Sequence, residues 1–276
     1  MKTVAIAGVG LIGGSFALAL RQAGFTGTIA GVSSPRTIAE ALEHRIIDRE
    51  MTLAEAAREA DLLLLAQHIG RIITLIEELA PHLGPDTLVT DAGSTKRLIC
   101  EAAAKHLPAD QFLGGHPMAG KETRGASSAD PGLFRGRTWV LTRETGHPFE
   151  SWLRKIGANL LFLDPAEHDR TVAFTSHLPQ LLATALAGTV QSGLTRDEQL
   201  KAGGPGLIDM TRLALSPYDM WNDILTTNAA DVDAALASLI ERLESMRPRL
   251  TDGGLREDFE RGAQLRRRLV NPVQLK

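Results

Sequence analysis

Only one cysteine, Cys100, occurs among the 276 residues, so neither a disulfide framework nor a cysteine-built zinc site can form within one chain. A reducing, cytoplasmic setting fits that usage, and no metal is expected. An excess of one charge is also missing. The 30 Lys plus Arg stand against 33 Asp plus Glu, a net charge of −3, which leaves no global basic field to gather nucleic acid or an anionic membrane. The expected partner is a small molecule. Long hydrophobic runs are absent too: Leu62–Ala66 is far short of the ~20 residues of a membrane span. The apolar run Thr3–Ala7 is broken by Gly8 and Gly10 with no small-residue cleavage site after it, so it reads as a buried strand rather than a signal peptide. What remains is an ordinary globular composition, 43% hydrophobic and 23% charged, in a chain long enough for two domains or one large one.

The first half repeats a short apolar run, a turn and a helical period, the rhythm of a parallel α/β sheet. Strands are predicted at Thr3–Ala7, Thr28–Val32, Leu62–Ala66, Leu88–Thr90, Phe112–Leu113, Thr138–Thr142 and Leu160–Leu163. Helical stretches are predicted near Gly13–Ala23, Thr37–His44, Leu53–Glu59, Arg71–Leu79 and Lys96–His106. Beyond Asp164-Pro165 helices follow one another at Ala166–Ser192, Leu207–Leu215, Pro217–Thr227, Asp231–Met246 and Leu255–Leu269. A domain boundary is therefore expected near Pro165, giving 1–164 and 165–276. Neither half carries an excess of one charge, and Arg266-Arg267-Arg268 reads as a solvated helix end.

Gly8-Val9-Gly10-Leu11-Ile12-Gly13 follows a predicted strand and opens a helix, the context that makes a G-x-G-x-x-G run a dinucleotide site. Gly8 permits the tight turn, Gly10 lets backbone approach a pyrophosphate, and Gly13 lets helix and strand pack closely. The amides of Leu11 and Ile12 then face the phosphates from the helix start. The expected fold class is thus α/β, an N-terminal Rossmann-type doubly wound, mostly parallel sheet followed by an all-helical C-terminal dimerisation domain. About twenty residues on, NAD enzymes place a carboxylate on the ribose 2′-hydroxyl. Here the second strand ends Gly31-Val32-Ser33-Ser34-Pro35-Arg36. Two hydroxyls and an arginine can donate hydrogen bonds to a 2′-phosphate, which favours NADP; the alternative is that these residues only cap the next helix and NAD binds through the hydroxyls.

A fingerprint does not name a reaction. Three further segments do more: Asp91-Ala92-Gly93-Ser94-Thr95-Lys96, Gly114-Gly115-His116-Pro117-Met118-Ala119-Gly120 and Ser176-His177-Leu178-Pro179. With Gly8–Ser15, Thr211-Arg212 and Pro217-Tyr218-Asp219-Met220-Trp221, they resemble the prephenate and arogenate (cyclohexadienyl) dehydrogenases over nearly the whole chain. The resemblance implies NAD(P)-dependent oxidative decarboxylation on the route to tyrosine. Prephenate gives 4-hydroxyphenylpyruvate, and arogenate gives tyrosine. In such enzymes hydride leaves the ring carbon bearing the hydroxyl, carbon dioxide leaves the opposite ring carbon, and aromatisation drives the reaction.

The same resemblance distributes roles. His116, past a strand end, is the expected acceptor of the substrate hydroxyl's hydrogen bond, and must be neutral to act. Ser94 matches the family's serine on that hydroxyl and histidine, with a helix N-cap as its bland alternative; Lys96 is left outside the catalytic group. Arg212 matches the arginine that binds a substrate carboxylate, and Asp209 stands three residues earlier to orient it. His177 lies in the substrate-facing helix. Many relatives read SHLPH where this chain ends Pro179-Gln180, so the histidine contact at that position is in doubt, with any preference it enforces between a pyruvyl and an alanyl side chain. Glu122 occupies an acidic position linked in related enzymes to substrate amine or inhibitor sensing.

Two rival readings are weighed against this one. A β-hydroxyacid or phosphogluconate-type dehydrogenase also joins a dinucleotide domain to helices, but its catalytic lysine has no clear counterpart here. A non-catalytic dinucleotide-binding protein would not need His116, Ser94 and Arg212 together. Apolar stripes such as Leu178, Leu181, Leu182, Ala185 and Leu186 predict a homodimer. No room is expected after Lys276 for a regulatory domain or before Met1 for a fused chorismate mutase, so feedback by tyrosine would act at the active site.

Overall fold

A computed structural model describes residues 1–121, 123–251 and 253–271. Six parallel strands lie in the order β3-β2-β1-β4-β5-β6: β1 Thr3–Ala7, β2 Thr28–Val32, β3 Arg49–Glu50, β4 Leu62–Leu65, β5 Leu88–Asp91 and β6 Phe112–Leu113. The helices between them are α1 Leu11–Gln22, α2 Pro35–Glu43, α3 Leu53–Glu59, α4 Ile69–Leu79 and α5 Arg97–His106. Side chains alternate across each strand. Val4, Ile6, Leu62 and Leu64 join Phe16 and Leu20 in one core, while Ala5, Ala7, Leu63 and Leu65 join Ile72, Ile76 and Ile99 in the other. Both faces of the sheet are covered, as a parallel sheet requires. Strand order reverses between β1 and β4, and the crevice outside the carboxyl ends of those strands is where such sheets bind ligands.

The remaining predicted strands do not extend this sheet. β7 Gly115–Pro117, β8 Thr138–Leu141 and β9 Asn159–Phe162 form a separate sheet, with β7 antiparallel to β8 and β9 parallel to it. It is fastened to the first by Trp139, whose ring meets Phe16 at 5.7 Å and Phe134 at 5.0 Å between centroids. Sequence periodicity also missed α6, Pro148–Lys155, and the charged two-residue β3.

Past β9 the described chain is helical: α7 Pro165–Val172, a π turn Ala173–His177, α8 Leu178–Gly193, α9 Asp197–Leu200, α10 Pro205–Thr211, a 3-10 turn Arg212–Leu215, and α11 Tyr218–Thr227. The expected single helix over 166–192 is therefore interrupted. Pro179 lacks an amide proton and its ring crowds the carbonyl four residues back, and the widened π turn accommodates it. Two compact units result, Met1–Ala229 and a second from Ala230 onward. The helices between Pro165 and Ala229 thus belong to the first unit with the sheet. The second unit holds α12, which starts at Ala229 and runs to Met246, and α13, Arg256–Val270. Asp258 pairs there with Arg249 at 2.8 Å and Arg242 at 3.2 Å. No helix among the described residues is long and apolar enough to cross a membrane.

Candidate active site

The turn after β1 is built as the fingerprint demands. Gly8 has φ +104°, and a Cβ on it would collide with the Ala66 carbonyl oxygen at the end of β4. A Cβ on Gly13 would strike the Gly8 carbonyl oxygen and the Ile6 side chain, so helix and strand touch there. Gly10, by contrast, faces open space. It heads α1 without a side-chain cap, and the first helical bond runs from the Gly14 amide to the Gly10 carbonyl at 2.8 Å. The amides of Leu11 and Ile12 precede that bond, at the positive end of the helix dipole. This geometry fits a pyrophosphate.

At the end of β2, Ser34 caps α2: its hydroxyl accepts from the Thr37 amide at 3.4 Å and meets the Thr37 hydroxyl at 3.0 Å. The capping alternative therefore holds for Ser34. Ser33 is half-buried and Arg36 exposed in the first turn of α2.

Beyond β5 the chain turns through Ser94, half-buried on the wall of a cleft of about 320 Å³ shared with Gln67 after β4 and Met220, Asp223 and Ile224 of α11. Ser94 does not cap α5. That role falls to Asp169 of α7, whose carboxylate accepts from the Lys96 amide at 2.6 Å and the Arg97 amide at 2.9 Å. Lys96 is fully buried, and its ammonium is paired with Asp91. Asp91 also accepts from the Gly115 amide at 3.0 Å and the Gly93 amide at 2.8 Å, which fixes the start of β7 against the end of β5.

His116 sits in β7, opposite Val140 of β8, and is buried. Its Nδ1 lies 2.9 Å from Nε2 of His168, and His168 Nδ1 lies 2.8 Å from Asp169 Oδ1. His168 and Asp169 are completely buried. Neither was singled out in the sequence, although one signal was there. His168, Asp169, Val172, Ala173 and His177 are all buried, so the helical spacing that buries Val172 and Ala173 also buries three polar residues. Burial pushes the His116 imidazole well below its ordinary range, helped by His168, Lys96 and His177. His168 is lowered by burial against the opposing pull of Asp169. Asp169 is held below the usual carboxylate range by its hydrogen bonds to His168 and the two α5 amides, which outweigh its burial. Both histidines are thus neutral near pH 7, and Asp169 is ionised.

His177 is buried beside the same group. Its Nδ1 is 3.3 Å from the Asn228 amide nitrogen, which also donates to the Asp169 carbonyl at 2.8 Å, and its ring meets Trp221 edge-on at 5.9 Å. Burial lowers it to about 4. Gln180 is buried in α8 and donates to the Leu213 carbonyl at 2.8 Å, so it anchors the turn that begins at Arg212. Arg212 and Asp209 are exposed within the protomer, and they stand in different elements, since α10 ends at Thr211. The Arg212 amide nevertheless donates to the Asp209 carbonyl, so the pair remains on one continuous helical turn. Glu122 lies outside the described residues. Burial pushes the Cys100 thiol up to about 12, which removes it as a nucleophile. Among the described residues no cluster of three His, Cys, Asp or Glu side chains could hold a metal ion.

The family model for the nucleotide-binding domain of prephenate dehydrogenase matches residues 16–161, and that for its dimerization domain matches residues 164–265. The chain belongs to the prephenate dehydrogenase family. It is 32% identical to the prephenate dehydrogenase of Lactococcus lactis subsp. cremoris over 274 residues, 96% of this chain and 77% of that one. The crystal structure of the Aquifex aeolicus prephenate dehydrogenase with hydroxyphenyl propionate and NAD+ superimposes with a TM-score of 0.87 at 29% identity, covering 98% of both chains. Synechocystis arogenate dehydrogenase does so with a TM-score of 0.80 at 28% identity, covering 99% of this chain and 100% of that one. As a prephenate dehydrogenase family member the chain is an oxidoreductase with a Rossmann-like sheet and a helical C-terminal region.

Proposed function

We propose that this chain catalyses the NAD(P)-dependent oxidative decarboxylation of prephenate to 4-hydroxyphenylpyruvate. The observation that carries the reading is His116: a buried, neutral imidazole beside the end of β5, with Nδ1 engaged by His168 and Nε2 left for a substrate. The nicotinamide, when bound over the Gly8–Gly13 turn, supplies the hydride acceptor. His116 Nε2 takes the proton of the substrate hydroxyl as that carbon becomes carbonyl-like, and Ser94 orients the hydroxyl. The electron pair of the bond to the departing carboxylate completes the aromatic ring. Little else is asked of the protein beyond orientation, exclusion of water and polarisation.

Arg212 is assigned to a substrate carboxylate, which its planar fork suits. NADP is the preferred cofactor in this reading, because Ser33 and Arg36 occupy the place where a carboxylate would repel a 2′-phosphate. Two copies of the chain pair through the helical region. Large apolar side chains exposed in one copy support this, among them Ile208, Met210, Leu215, Leu250 and Phe259, together with the match to a dimerization domain. The division of labour runs cofactor to residues 1–164 and substrate closure to 165–276.

One observation favours arogenate as a second substrate. The Gln180 side-chain oxygen is buried without a hydrogen-bond partner, and a buried acceptor in the substrate-facing helix suits an ammonium. Initial rates with prephenate and arogenate, each crossed with NAD and NADP, test these assignments. Reduced cofactor should appear with prephenate and NADP, and its absence with all four combinations would leave only a dinucleotide-binding protein.

A further inference from the structure

We infer that His168 and Asp169 are positioning residues that set the tautomer of His116, so that its outward nitrogen, Nε2, always carries the lone pair. The inference rests on the reading of His116 as proton acceptor and follows from donor and acceptor accounting along one buried chain of contacts.

Asp169 starts the chain. Its carboxylate receives the two amides at the start of α5, from Lys96 just before the helix at 2.6 Å and from Arg97 at 2.9 Å. Anchored there as an anion, it can only accept hydrogen bonds. His168 Nδ1, 2.8 Å from Asp169 Oδ1, must therefore carry a proton. A neutral imidazole has one N–H, so His168 Nε2 presents a lone pair. That lone pair faces His116 Nδ1 at 2.9 Å, which must donate in turn. His116 Nε2 is then left without a proton, the state a base needs.

The opposite tautomer of His116 would set two lone pairs against each other between two buried rings, and would present an N–H to the substrate hydroxyl. The first outcome is costly, since a buried polar group is left without its partner, and the second leaves no acceptor for the substrate proton. The arrangement also answers what happens after proton uptake: the imidazolium keeps its Nδ1 donor on His168, and the charge of Asp169 stands one ring further on. The other ionisable groups facing His116 are Lys96, paired with Asp91 across the β5–α5 turn, and His177 from the π turn. Neither hydrogen-bonds to His116 Nδ1 in place of His168.

Both residues also have a structural part to play, Asp169 as the cap of α5, so a loss of activity alone would not establish positioning. The test reads the tautomer itself. Side-chain nitrogen NMR of the full chain labelled with ¹⁵N-histidine, above pH about 7.5, assigns the His116 ring by its loss in His116→Asn. The expected spectrum shows the proton of His116 on Nδ1. In His168→Leu the proton should move to Nε2 in a substantial fraction of molecules, and kcat should fall on the order of 10²-fold with KM within about threefold. His168→Gln, whose side-chain oxygen can accept from His116 Nδ1, should restore kcat to within about tenfold of wild type. The proposal is overturned by a wild-type spectrum with the proton on Nε2, by a fall in kcat with no change of tautomer, or by an undiminished kcat in His168→Leu. Should His168→Leu not fold, the wild-type spectrum and His168→Gln still decide. No substrate is present in the NMR measurement, so an error about prephenate would leave its outcome intact.

Discussion

Lys96 and Asp91 form an ion pair in which both side chains are fully buried. Asp91 closes β5 and holds the amides of Gly93 and Gly115, while the Lys96 amide is held by Asp169. One lysine thus ties together the turn that carries Ser94, the strand that carries His116 and the helix that carries His168. A buried pair of this kind adds little over an apolar replacement, but removing one partner leaves an uncompensated charge. Lys96→Met should therefore lose about 3–5 kcal/mol of stability, measured by urea unfolding. Asp91→Asn combined with Lys96→Met should lose less than the two single changes added together. Additive losses would show that the pair is not coupled.

The parts of the fold that local chemistry controls were legible in the sequence. β1, β2 and β6 appear at the residues their apolar runs predicted, α3 likewise, and β4 and β5 to within one residue. What was not legible depends on distant partners. Gly115-His116-Pro117 has no strand signature and becomes β7 only by pairing with β8. Arg49-Glu50 becomes an edge strand only against β2. The cap offered as the alternative for Ser94, because it precedes a helix, comes instead from Asp169, more than seventy residues later. His168 and Asp169 carry no motif of their own, and Asp169 is held at the start of α5 by the Lys96 and Arg97 amides. Gly8 was found by residue type and spacing, whereas Ser94, His116 and His177 were found through the family resemblance of their segments, and the contacts of all four required the fold.

The buried histidines make stability depend on pH with a definite sign. Burial lowers His177 to about 4, whereas a histidine in an unfolded chain titrates near 6.5. Between those values the unfolded chain binds a proton that the folded chain refuses, so stability rises with pH across the window and is lost as the solution is acidified. The contribution is complete above about 6.5. His116 and His168 are shifted in the same direction and steepen the slope. Unfolding free energies measured by urea from neutral pH downward should decline, and His177→Asn should make the decline shallower by up to about one proton. An unchanged slope would place the proton uptake elsewhere.

The proposed preference for NADP rests on the end of β2. With the Ser34 hydroxyl engaged by Thr37, a 2′-phosphate is left Ser33 and Arg36 as donors. Losing one charge-assisted hydrogen bond should lower kcat/KM for NADP roughly 10–100-fold in Arg36→Ala, while the value for NAD moves little. Equal losses with both cofactors would mean that Arg36 serves α2 or the common part of the dinucleotide. A wild-type enzyme at least as efficient with NAD as with NADP would reverse the assignment outright.

In the proposed reaction His116 is the base, and its environment shapes two observables. Removing a positioned proton acceptor commonly costs 10²–10⁴ in rate, so His116→Asn should lower kcat by about that factor with a much smaller effect on KM. A loss below about tenfold would take the base assignment away from His116. The second observable is the acidic side of the kcat profile. Burial, with His168, Lys96 and His177 close by, keeps the imidazole neutral well below the ordinary histidine range. The wild-type rate should therefore hold as the pH is lowered past about 6.5, where a solvent-exposed histidine would already be protonated and inactive. Short assays on enzyme pre-equilibrated at neutral pH separate this from acid unfolding. A rate that halves near pH 6.5 would mean that the working base is solvated, and so is not the imidazole buried against His168.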